Sequence, residues 1–291
     1  MGDTNDGILR FLQKHFVPLC VISEKDNKEC TYFASAFVIS VEEEWFLVTA
    51  GHVAKEINSW LMDPNYIFKK ASLCDLGGFN AKHSIPIPFN LTLESFIIFG
   101  DENTYDYAVI HLDPLYIRSL EANGIEPLDE QVWLYPPENP EYFKMLGVTT
   151  QMVKPTRNED NSTIVSLEYG TTLHPVQHSH ECPDGITKRN VSCWYGYITT
   201  GSAITDIKGI SGAPIFAFKH TDDGELKYWL IGVQSTWKAS NKAIAVSPAI
   251  NLGCYLSDSL RKFREFQAEQ KIEPKTTKRG DHPPKTRPDV M

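Results

Sequence analysis

Long apolar runs are missing from this chain, and so is any excess of positive charge. No segment approaches the roughly 20 consecutive apolar residues that a membrane-spanning helix requires. The formal net charge is −9 over 291 residues, which argues against a general nucleic-acid binder, because such binding rests on neutralising phosphates. The first residues lack the basic start and apolar stretch of an export signal, and Asp3 and Asp6 stand where positive charge would be expected. Cysteine is sparse: six residues, at 20, 30, 74, 182, 193 and 254, with no tight framework. The expectation is reduced thiols in a cytoplasmic protein, so that the glycosylation-like sequences at Asn90, Asn161 and Asn190 carry no weight.

Against these absences stand three short segments in a definite order. They are Val48-Thr49-Ala50-Gly51-His52-Val53, Asp106-Tyr107-Ala108-Val109-Ile110 and Gly209-Ile210-Ser211-Gly212-Ala213-Pro214. A histidine closes an apolar strand, an aspartate opens another, and a serine sits in a glycine-flanked turn. A serine hydroxyl is a poor nucleophile near neutral pH and needs a base to take its proton during attack. Histidine suits that task, and a carboxylate on its other nitrogen fixes the tautomer. The developing oxyanion needs preorganised donors, which the backbone N–H groups of Gly209 and Ser211 supply if the turn is sharp enough. His, then Asp, then Ser is the chain order of chymotrypsin-like proteases, and the α/β-hydrolase elbow fails because Ala213 stands where it needs glycine.

At these residues the chain resembles the chymotrypsin-fold (trypsin-like) serine peptidases, closer to the bacterial non-secreted branch than to digestive enzymes. Ala34-Ser35-Ala36-Phe37-Val38-Ile39 resembles the strand that usually precedes the histidine signature. Leu230-Ile231-Gly232-Val233-Gln234-Ser235 resembles the strand walling the substrate cleft. The resemblance covers residues 17–256. It implies an all-β protein of two six-stranded antiparallel barrels with a short N-terminal helix and a C-terminal helix. The expected divisions are an N-terminal helix over 1–16, a first barrel over 17–125 with His52 and Asp106, a second over 126–255 with Ser211, a helix over 256–270, and a disordered tail over 271–291. Two departures matter. Val53 replaces the cysteine that follows the histidine in secreted members. Ile210 replaces the aspartate that pairs with a new N-terminus after zymogen cleavage, so the Ser211 turn must be held by other contacts.

The pattern along the chain agrees with many short strands and few helices. Strands are expected at Val17–Ile22, Tyr32–Ser40, Trp45–Thr49, Phe96–Phe99 and Tyr107–Leu112. A second series runs through Met145–Val153, Ser162–Tyr169, Cys193–Thr199, Ala213–Phe218, Tyr228–Ser235 and Ala243–Pro248. Hairpin turns are expected at Asn158–Asn161 and Thr221–Gly224. The seam between halves is placed at 114–142. Leu256, Leu260, Phe263 and Phe266 form the apolar stripe of the closing helix. From Lys271 onward six basic residues face three acidic ones in a Pro-rich stretch with little apolar content.

Competing readings stay open at this level. His52 alone would suit a core histidine, Asp106 a strand-capping carboxylate with Asp101 and Asp113 as rivals, and Ser211 an ordinary glycine turn. His174, His178, His180, Cys182 and Cys193 form a second polar constellation, but their spacing matches no standard zinc pattern, and Pro175 and Pro183 favour a surface loop. No metal or other cofactor is needed. The resemblance implies that Thr205 lines the base of the specificity pocket. A neutral threonine there points to small or apolar substrate side chains, although adjacent Asp206 would reverse that with a shift of one residue. Ser235 is expected to edge the cleft and Trp237 to narrow it. The expected function is a serine endopeptidase acting on a protein or peptide substrate through an acyl-enzyme, without nucleic-acid or membrane partners. The alternatives are a catalytically silent protease-fold module that binds peptides, or a latent enzyme switched on by an activating protein partner.

Overall fold

Tight hairpins account for much of the chain path, beginning with the first two strands. The computed structural model describes residues 4–75, 86–100, 103–199 and 207–272. β1 (Leu19–Lys25) and β2 (Lys28–Ala34) are joined by Asp26-Asn27, both at positive φ (51° and 59°), the two-residue geometry that matches strand twist. β3 (Phe37–Val41) and β4 (Glu44–Thr49) are joined the same way by Glu42-Glu43. The single expected strand Tyr32–Ser40 is thus two. The chain leaves β2 at Ser35-Ala36 and enters a different sheet as β3, so one apolar run serves two layers.

The first half completes its sheets with β5 (Ile67–Leu73), β6 (Ile87–Phe89), β7 (Ile97–Phe99) and β8 (Tyr107–His111). Among the described residues these form two antiparallel four-stranded sheets, ordered β2-β1-β5-β6 and β3-β4-β8-β7, where a closed six-stranded barrel was expected. One apolar cluster includes Leu19 and Val21 of one sheet, Val38, Leu47 and Ile110 of the other, and Val53, Ala54 and Ile57 of a helix. That helix is α2 (Gly51–Met62), unanticipated from the sequence although Val53, Ile57 and Leu61 recur at helical spacing. It follows α1 (Asn5–Leu12), which Thr4 caps through the Gly7 N–H at 3.2 Å and which buries Ile8 and Leu12. The predicted seam contains two further helices, α3 (Pro114–Ala122) and α4 (Glu130–Trp133).

The second half is a closed six-stranded barrel. Its strands are β9 (Tyr142–Gly147), β12 (Thr172–Ser179), β13 (Trp194–Ile198), β14 (Pro214–His220), β15 (Leu226–Lys238) and β16 (Ala243–Pro248), ordered β12-β13-β16-β15-β14-β9. A separate ribbon pairs β10 (Lys154–Arg157) with β11 (Ile164–Glu168) across the Asn158–Asn161 turn. β12 overturns the surface-loop reading of His174 and Pro175. His174 and Val176 point into buried space while Pro175 and Gln177 are exposed, a period of two in which a histidine takes an inward position.

The halves share one core, in which Phe37, Phe46 and Tyr107 meet Phe216, Leu230 and Val233. α5 (Ala249–Ile272) follows β16 directly and starts earlier than the expected 256. Its first turns bury Ala249, Leu252 and Leu256, and Gly253 lies under Trp133 so closely that a Cβ would meet the ring at 2.1 Å. The expected apolar stripe is only half used: Phe263 and Phe266 are 57% and 55% exposed, because the helix outruns the body it packs on.

Candidate active site

His52 stands in the first turn of α2, just past the end of β4, and Asp106 immediately precedes β8, the neighbour of β4. The sheet therefore brings the two together although 54 residues separate them. Asp106 uses both carboxylate oxygens on the same residue: Oδ1 accepts the His52 backbone N–H at 2.8 Å, and Oδ2 lies 2.6 Å from His52 Nδ1. The carboxylate is 9% exposed and the imidazole 44%, so a buried acid holds a ring whose other nitrogen is open to the cleft. Gly51 makes this approach feasible, since a Cβ there would come within 2.7 Å of Asp106 Oδ1.

Asp106 is also fixed from the other half. Its backbone N–H donates to Ser247 Oγ at 3.1 Å, and the Tyr107 hydroxyl donates to Pro248 O at 2.6 Å. Burial pushes the Tyr107 phenol well above its ordinary pKa, which keeps it a neutral donor.

Ser211 belongs to a turn tied at three points. Ile210 N–H bonds Ile207 O at 3.0 Å, Ala213 N–H bonds Ile210 O at 2.9 Å, and Gly212 N–H reaches Gln234 O on β15 at 3.0 Å. The orientation of two peptide units follows. The Lys208 carbonyl accepts the Thr150 N–H at 2.8 Å, so the N–H of Gly209, in the same planar trans unit, is aimed the opposite way. The Ile210 carbonyl is taken by Ala213, which turns the Ser211 N–H outward by the same rule. Neither N–H has a partner among the described residues, and both residues line the cleft. Gly209 and Gly212 both adopt φ of +90°, which favours glycine.

Ile210 is buried to 1% exposure in an apolar cluster with Met145, Ala213 and Ile215, and its side chain fills the space beside Gly147. Hydrophobic packing holds the turn where the resemblance implies an ion pair. Ser35, at the β2–β3 break, adds a polar tie: its hydroxyl accepts the Val148 N–H at 3.1 Å and donates to Gly209 O at 3.4 Å.

His52, Asp106, Gly209, Ile210 and Ser211 all line one cleft of about 1180 Å³ between the halves. Solved structures similar to this one include proteases. The serine protease AL20 from an extremophilic microorganism aligns over 84% of this chain and 95% of its own, at 11% identity and a TM-score of 0.45. The protease Anisep from Arthrobacter nicotinovorans aligns over 81% and 90%, at 14% identity and 0.42. The active form of the Rv3671c protease from M. tuberculosis aligns over 84% and 80%, at 12% identity and 0.42. No protein-family model and no curated protein sequence matches the chain. The likeness is one of chain path and says nothing about the activity of this chain.

The remaining expected site residues divide. Ser235 and Trp237 line the cleft, with Ser235 Oγ donating to Ala245 O at 3.1 Å. Thr205 and Asp206 lie outside the described residues. His178 stacks on Trp194 and meets His180 edge-on, and among the described residues no set of three His, Cys, Asp or Glu side chains gathers as a metal site. Sequence reasoning missed Ser35, Ser247 and Arg189. The importance of each comes only from what the fold places beside it.

Proposed function

We propose that this protein is a serine endopeptidase. Ser211 attacks a peptide carbonyl, His52 takes its proton and returns it to the leaving amine, and Asp106 orients the imidazole and stabilises it when charged. The N–H groups of Gly209 and Ser211 hold the oxyanion, and an acyl-enzyme on Ser211 is then hydrolysed. The observation that carries this reading is the coincidence, in one cleft, of a closed His52–Asp106 pair and a turn whose two outward N–H groups flank a serine. No hydrogen bond joins His52 to Ser211 in this structure. Such bonds are often long in unliganded enzymes and tighten around substrate.

The burial of Ile210 supports a turn that is formed without an activating partner. Among the described residues no helix is long and apolar enough to cross a membrane. The six free thiols fit a reducing compartment such as the cytosol. A fluorophosphonate probe tests the function. Wild type is expected to be labelled and Ser211→Ala is not; no labelling of the wild type between mildly acidic and mildly basic pH favours a silent peptide-binding module instead.

A further inference from the structure

Arg189 lines the same cleft at only 8% exposure, and its partners there are neutral. Nη1 donates to Ser247 Oγ at 3.1 Å and Nη2 to Thr236 Oγ1 at 3.0 Å. A guanidinium carries five N–H donors, so most of its capacity is left over. Withdrawing a cation from water is costly unless a counter-charge meets it, and two hydroxyls with the neighbouring Cys193 thiol, whose pKa burial raises, compensate only in part. Among the described residues no carboxylate forms an ion pair with it. Asp106 engages both oxygens with His52 and Glu56 engages one oxygen with the Tyr32 hydroxyl at 2.9 Å, and neither bonds the guanidinium directly.

The group is also fixed in place. The next residue, Asn190, donates its N–H to Asn103 O at 2.9 Å, which ties the Arg189 loop to the loop leading into Asp106. Through Ser247 Oγ, which accepts from both Asp106 N–H and Arg189, the guanidinium is held on the Asp106 side of His52. Thr236 places it against β15, whose Ser235 and Trp237 also wall the cleft. Lys55 and Lys208 stand on the same lining. A cation that is buried, immobilised and, among the described residues, without a directly bonded carboxylate is placed beside the reacting groups to receive an anion.

We infer that Arg189 forms a subsite for a substrate carboxylate, so that the cleft selects acidic peptides. The assignment deepens the peptidase reading and rests on it for the word substrate, but binding alone tests it. The carboxylate comes from an Asp or Glu side chain or from a free chain end; the chemistry at Arg189 is shared and the experiment separates the two.

The test uses positional peptide libraries in matched pairs, Glu against Gln and Asp against Asn at each position around the scissile bond, with free and amidated C-termini. Cleavage by wild type, Arg189→Met and Arg189→Lys is compared. Wild type is expected to prefer the acid at one position by roughly 10-fold or more in kcat/KM, the scale of a hydrogen bond to a charged group. Arg189→Met is expected to bring that ratio to about 1 whatever happens to the absolute rate, and Arg189→Lys to retain part of it. A merely structural arginine would lower both members of each pair together and leave the ratio intact, which overturns the assignment. A preference restricted to the free C-terminus places the carboxylate at the chain end. The same peptides, fluorescently labelled, are titrated onto Ser211→Ala. Acid-selective binding without turnover in wild type keeps the subsite and removes the peptidase; turnover with no acid preference in either assay does the reverse.

Discussion

A side-chain carbon at Gly212 would lie 2.2 Å from Thr49 Oγ1 and 2.4 Å from the Ser35 carbonyl oxygen. The Ser211 turn of the second half is therefore seated directly on the end of β4 and on the β2–β3 break of the first, and the two glycines flanking Ile210-Ser211 set how close Ser211 comes to His52. Gly212 also holds φ at +90°. Gly212→Ala is expected to destabilise the protein by about 2–3 kcal/mol through strain and overpacking. It should also slow fluorophosphonate labelling by roughly 100-fold, the scale set by a misplacement of about 1 Å. Thermal melting and labelling rates check this; an unchanged rate would mean that the seat does not position Ser211.

The hydrophobic anchor gives an opposite pair of outcomes at one position. Ile210→Val removes one buried methylene and is expected to cost about 1 kcal/mol while labelling persists. Ile210→Asp restores the residue that the resemblance implies but buries a carboxylate among Met145, Ala213 and Ile215 with no cation prepared for it. It is expected to cost more than about 3 kcal/mol and to abolish labelling. Denaturant titration of the two variants measures the difference.

Gln234 is fully buried, and among the described residues neither its amide oxygen nor its nitrogen has a partner. Gln234→Met, close in volume, should raise stability by about 1 kcal/mol, since an unpaired buried amide carries its desolvation cost uncompensated. A fall in the urea midpoint would show that the amide is bonded in solution.

Stability should also fall on mild acidification. His15 bonds Glu126 O at 2.7 Å and Tyr228 Oη at 3.0 Å, and burial lowers its pKa from 6.5 to about 4; burial does the same to His174. The unfolded chain therefore binds more protons than the folded one between those values. The stabilisation is complete above about pH 6.5, declines as pH drops through that window, and is lost below about 4. Urea midpoints at pH 7.5 and 4.5 should differ less in His15→Gln than in wild type.

The sequence carried the parts of the candidate site that come as contiguous motifs. His52, Asp106 and Ser211 were legible because apolar strands and glycines flank them in a fixed order. Arg189 was not: Thr187-Lys188-Arg189 reads as an ordinary solvated basic loop, and only tertiary placement against Ser247 and Thr236 buries it. β12 was hidden because His174 occupies an inward position that an apolar count skips, and Pro175 looked like a loop residue although its exposed place in the strand tolerates it. α2 was hidden because it begins at Gly51, right after the apolar strand β4, with no side-chain cap to mark its start. The two four-stranded sheets, where a barrel was expected, reflect how short β6 and β7 are, at three residues each.

The most direct test of convergence between the two halves is a crystal structure of the protein after reaction with a phosphonate. The adduct is expected on Ser211, with its phosphonyl oxygen about 2.7–3.1 Å from the N–H groups of Gly209 and Ser211 and His52 Nε2 within about 3 Å of the serine oxygen. An unmodified Ser211, or an adduct whose oxygen points away from both N–H groups, would contradict the account.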